Sequence, residues 1–203
     1  RGTCDMKGFV GTALALVPEM VAAPLSVPIH FAFSYDEEVG CLGVRHIITD
    51  IAANLPRPRA VIVGEPTSMA LIGGNKGTRV YRTTITGVPA HSSQPSQGAN
   101  AIVAAARLID FLEELGAELA AGADPHSPFD PPCSTFNVGV IDGGTAHNIV
   151  AEICRLTWSV RLVPTDDANA IEARIRVFCA EHLDPVLKVL SPQAGVTTEM
   201  ITD

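Results

Sequence analysis

Hydrophobic positions along this chain come in two textures. In the first 73 residues they form continuous runs: "SVPIHFAFSY" (26–35) and "RAVIVGEPT" (59–67) are short, apolar and end in polar residues, the pattern of strands buried on both faces. Between them "GCLGVRHIITDIAANL" (40–55) has helical spacing, and "KGFVGTALALVPEMVAA" (7–23) predicts an earlier helix with Asp5 just upstream. Strand, helix, strand is the unit of a parallel sheet.

After "GGNKG" (73–77) the texture changes. "TRVYRTTITG" (78–87) alternates and is rich in β-branched residues, as a half-solvated strand is, and 98–119 predicts a long amphipathic helix. A Pro- and Asp-rich loop (120–132) leads to "STFNVGVIDGG" (134–144) and "AEICRLTWSVRLVP" (151–164), an expected antiparallel pair. A second helix spans 166–183 with Asp166 or Asp167 as its cap, and "PVLKVLS" (185–191) is the expected fourth strand. The order β-α-β-β-α-β is the split ferredoxin-like unit. The expected fold is therefore an α/β piece with a mainly parallel sheet, followed by an α+β piece.

Composition narrows the chemistry. A net charge of -8, with 14 Lys and Arg that form no patch, argues against nucleic acid, and no apolar run is long enough to ask for a membrane. The expected partner is a small molecule. Five cysteines, odd in number and without a Cys-x-x-Cys pair, predict free thiols in a reducing compartment, hence the cytoplasm, with Cys41 and Cys154 as small core residues.

Acidic residues follow both apolar runs: Asp36, Glu37 and Glu38 after the first, Glu65 within "VGEPT" after the second, while Asp5 precedes the first helix. In parallel sheets ligands bind beyond the carboxyl ends of the strands. Three segments would then bring carboxylates to one sheet edge, where a divalent cation would neutralise them. Spacing alone fits solvated loop acids and helix caps as well.

Five motifs in order, "RGTCDMKG", "SYDEEVGCLG", "VGEPT", "GVPAHSSQPSQGANAI" and "GGTAHNIV", resemble the cocatalytic zinc deacylases and peptidases. That family includes acetylornithine deacetylase, succinyl-diaminopimelate desuccinylase, aminoacylase and glutamate carboxypeptidase, and the first three motifs are most similar to the first of these. The resemblance implies part of a metal-binding catalytic domain at 1–76, a lid and dimerisation domain at 77–192, and a return toward the catalytic domain at 193–203. It implies two divalent metal ions, zinc or alternatively cobalt, with Asp5 bridging them and Glu38 and Glu65 as ligands. Glu37 would be the general base and His91, from a partner's lid, the group that holds the oxyanion. Asn148 and Arg161 would contact substrate.

The implied reaction removes the acyl group from an N-acyl amino acid, N-acetylornithine to ornithine and acetate in arginine biosynthesis, in a homodimer formed through the lid. Alternatives are a desuccinylase or carboxypeptidase of the same family, or a non-catalytic dimerisation module. Two histidine ligands that the family supplies, one upstream of the "DMKG" aspartate and one near the C-terminus, have no counterpart here, so the chain is expected to be a fragment. Ala151 and Ser159 also depart from the pattern, where many relatives have proline and an acid.

Overall fold

In the computed structural model, which describes residues 2–202, the chain divides between Gly73 and Gly74. Arg1, the first residue of the "RGTCDMKG" motif, and Asp203 lie outside the described residues.

In the first unit the expected helix 7–23 is two helices, α1 (Lys7–Ala15) and α2 (Val17–Ala22). Pro18 explains the break, since its nitrogen has no hydrogen to donate and its ring crowds the preceding turn. The next helix, α3 (Val44–Asn54), starts later than its apolar spacing predicts. Gly40 and Cys41 hold left-handed φ values of 104° and 55°, which a right-handed helix cannot include. At its other end Pro56 keeps Leu55 extended, with ψ 150°.

The two apolar runs of this unit form no strand ladder among the described residues, so the parallel sheet expected there is not shown. An apolar run becomes a parallel strand only when another strand pairs with it, and Pro28 and Pro66 remove backbone donors from these two. Their side chains stay open: Val61, Ile62 and Val63 are 71–82% exposed. Every buried hydrophobic residue among those described belongs instead to the second unit.

That second unit is a four-stranded antiparallel sheet in the order β2-β3-β1-β4, built from β1 (Gly77–Thr86), β2 (Thr135–Gly143), β3 (Ile153–Leu162) and β4 (Gly195–Thr202). Tyr81, Thr83 and Ile85 of β1 and Cys154, Leu156, Trp158 and Val160 of β3 point to one face, as period-two alternation requires. Helix α4 (Ala101–Ala121) covers that face with Ala101, Ala104, Ala105, Leu108, Leu112 and Leu115. Helix α5 (Ala168–Phe178) adds Ile171 and Ile175. Trp158 stacks on Tyr81 at 4.3 Å between ring centres, and its Nε1–H donates to Thr83 Oγ1 at 2.9 Å, so the one polar edge of the indole is satisfied inside the core.

Side-chain caps set where these helices begin. Asn100 Oδ1 accepts from the Ile102 and Val103 amides at the start of α4, and Asp167 Oδ1 from Asn169 and Ala170 at the start of α5. Asp166, the other candidate cap, accepts instead from Ser134 Oγ at 2.6 Å. The fourth strand is 195–202, not 185–191. Residues 184–187 are helical (α6, Asp184–Leu187), reached through the wider turn Cys179–Leu183, because Leu183 and Leu187 bury together at i,i+4 and Lys188 pairs with Asp184 across one turn. Val186 and Val189 lie exposed on the other side, whereas the β-branched run "VTTEMIT" completes the sheet. Residues 195–202 thus pair with β1. Among the described residues no helix is long and apolar enough to cross a membrane.

Candidate functional site

Within the first unit each candidate carboxylate sits on its own turn. The "DMKG" segment is closed by Lys7 N–H to Gly2 O (3.0 Å) and Gly8 N–H to Thr3 O (2.7 Å), leaving Asp5 half-buried just before α1. Gly64 passes against the start of that helix so closely that a Cβ there would fall 2.6 Å from Met6 Cε. A bare glycine is what lets "VGEPT" run beside the "DMKG" turn, with Glu65 next along the chain.

Glu37 and Glu38 lie on a single exposed helical turn, Glu37–Val39. The Gly40 and Cys41 amides donate to Glu37 O at 3.1 and 2.9 Å, and Leu42 and Gly43 donate back to Asp36 O and Tyr35 O, both at 3.2 Å. The thiol of Cys41 reaches Glu37 Oε1 at 3.9 Å. Cys41 is exposed, not the core residue its apolar neighbours suggest, because the left-handed turn lifts it off α3.

Carboxylates are the donors a hard divalent ion prefers. Even so, among the described residues no three His, Cys, Asp or Glu side chains converge closely enough to hold one.

In the second unit two of the candidates are brought together. His91 pairs with Ile149 in an isolated antiparallel bridge, Ser92 N–H donates to Asn148 O at 2.9 Å, and Val150 N–H donates to Ala90 O at 2.8 Å. The "AHSS" and "HNIV" segments are therefore clipped together, and His91 and Asn148 are exposed neighbours beside the start of β3. Arg161 is not with them. It lies eight residues beyond Ile153 along β3, about 26 Å at the rise of an extended strand. It also sits on the solvent face of the sheet, between buried Val160 and half-buried Leu162.

Sequence reasoning missed Ser93, whose hydroxyl lies 2.8 Å from His91 Nδ1. The signal was the repeated serine of "HSS", two residues past the imidazole, within reach of its ring. The buried thiols of this unit are chemically quiet: burial raises the Cys154 thiol, with Asp142 adding to it, and pushes Cys179 up to about 11.

Residues 73–186 match the M20 family's peptidase dimerisation domain. An acetylornithine deacetylase from Myxococcus xanthus is 40% identical over 98% of this chain and 52% of its own length. Another from Pasteurella multocida is 35% identical over 86% of this chain and 46% of its own. The chain spans about half the length of these relatives. Among solved structures, an aminopeptidase from Bacillus cereus overlaps 83% of this chain and 40% of its own with a TM-score of 0.46 and 19% identity. An amidase of the hydantoinase/carbamoylase family from Burkholderia vietnamiensis overlaps 63% and 27% with a TM-score of 0.44 and 21% identity.

Proposed function

Given that the chain belongs to the M20 peptidase family, we propose that it is the dimerising part of a divalent-metal-dependent amide hydrolase acting on an N-acyl amino acid. Its substrate is N-acetylornithine, cleaved to ornithine and acetate, as the names of its relatives suggest.

One observation carries the reading of the lid: His91 and Asn148 are clipped together beside the start of β3, while Arg161 stands about 26 Å along that strand from Ile153. A single acyl amino acid cannot touch both places on one chain. In a homodimer formed through the second unit it can, with His91 and Asn148 serving the site of one protomer and Arg161 that of its partner. The edge strand β2, with Val140 and Ile141 more than half exposed, offers the pairing surface.

Each residue then has a task. The guanidinium of Arg161 holds the substrate carboxylate through two parallel N–H bonds. The imidazole of His91 donates to the oxygen that becomes anionic as the amide carbon turns tetrahedral, and Asn148 steadies the same end of the substrate. Glu37 is the base that takes a proton from the attacking water and returns it to the leaving amine. Asp5, Glu38 and Glu65 are the carboxylates assigned to the metal ions, zinc or alternatively cobalt.

The test is acetate release from N-acetylornithine by the full-length protein, with succinyl-diaminopimelate and a dipeptide as competitors. Release of acetate from the first supports the substrate; cleavage of only the others refutes it and leaves the reaction class. A second reading, a non-catalytic dimerisation module, is favoured by the missing ligand cluster among the described residues. Less than one metal per chain together with a dimeric native mass would support it.

A further inference from the structure

The ring of His91 is held at Nδ1 by Ser93. Its Nδ1 lies 3.2 Å from the backbone N–H of Ser93, which donates to it, and 2.8 Å from Ser93 Oγ. A backbone amide can only donate, so Nδ1 must present its lone pair, and a neutral imidazole with that lone pair free carries its proton on Nε2. The hydroxyl of Ser93 meets the same lone pair and is satisfied as a second donor. A proton on Nδ1 would instead face the amide hydrogen head-on.

The backbone around the pair is fixed as well. Gln94 N–H donates to His91 O at 2.8 Å, closing the turn that returns Ser93 to the ring, and the bridge to Ile149 anchors the other side. His91 is exposed, so its Nε2 edge is free to face a ligand.

We infer that Ser93 is a positioning residue that locks His91 in the Nε2–H tautomer, so that its outward nitrogen is a hydrogen-bond donor in the neutral ring. The inference rests on the oxyanion role proposed for His91 only for its catalytic consequence. An oxyanion needs a donor, and the opposite tautomer would turn a lone pair toward it.

Two readouts test it. In the 203-residue chain labelled with ¹⁵N-histidine, with the six histidines assigned by a His91→Gln variant, the His91 ring should show an unprotonated Nδ1 and a protonated Nε2. Ser93→Ala should move both nitrogen signals toward the exchange-averaged mixture, and Ser93→Thr should restore them. In the full-length protein Ser93→Ala should lower kcat about tenfold with KM little changed. That is less than the loss of a whole oxyanion donor because the backbone donor remains. A wild-type ring protonated on Nδ1, or a Ser93→Ala variant that matches wild type in either readout, overturns the inference. A His91→Ala variant with undiminished kcat would refute the oxyanion role instead, and the nitrogen signals would still decide whether Ser93 sets the tautomer.

Discussion

Removing one hydroxyl at Ser134 should loosen the end of the sheet that carries Arg161. Ser134 is fully buried; it donates to Asp166 Oδ2 at 2.6 Å and accepts from the Val163 amide at 3.0 Å. It thereby ties the start of β2 to the end of β3, where Thr135 stands opposite Arg161. Ser134→Ala strands the buried Val163 N–H and deprives a carboxylate of a short, charge-assisted bond, which together cost about 2 kcal/mol. Trp158 is the chain's one tryptophan and is buried in the second unit, so its fluorescence follows the unfolding of that unit alone. With a urea slope of about 2 kcal/mol per molar, the midpoint should fall by about 1 M. Hydrogen exchange at Val163 should quicken at the same time. A midpoint within about 0.2 M of wild type, corresponding to less than roughly 0.5 kcal/mol, would refute the reasoning by showing that water replaces the hydroxyl at no cost.

Two further outcomes follow from the same core. The Cys179 thiol rises from an ordinary 9.0 to about 11 because it is buried, with Asp184 adding to the shift, so the folded state holds that proton more tightly than the unfolded chain. Its contribution to stability is complete below about pH 9 and is lost as pH climbs toward 11, so the urea midpoint should fall across that window and fall less in Cys179→Ala. Asn100→Ala removes the acceptor for two amides at the start of α4 and should cost about 1 kcal/mol by the same fluorescence assay, with Asn100→Asp close to wild type.

The sequence spoke most clearly where an element is self-sufficient. Period-two alternation in "TRVYRTTITG" and in the run around Trp158 locates β1 and β3, because each has neighbours within the same unit. The start of the second helix was legible from its aspartates, yet the choice between Asp166 and Asp167 turned on Ser134, 32 residues from Asp166 in sequence, which no local pattern reveals. "PVLKVLS" misled because Leu183 and Leu187 impose a helical period on valines with strand preference. The first unit shows the opposite limit: "RAVIVGEPT" has the composition of a buried strand but no ladder partner among the described residues. The candidate site divided the same way. The paired segments of His91 and Asn148 meet through the bridge from His91 to Ile149, 58 residues apart, whereas the distance to Arg161 emerges only once β3 is laid out as a strand.

That distance also supplies the most direct test of the two-protomer site. His91→Ala and Arg161→Ala variants of the full-length protein should each lose most activity toward N-acetylornithine. Mixed, unfolded and refolded together, they should recover about a quarter of wild-type turnover, since random pairing makes half the dimers mixed and each mixed dimer holds one intact site of two. Recovery near that level is the result the account predicts. A mixture no more active than its parts, with mixed dimers confirmed by native mass, would contradict it.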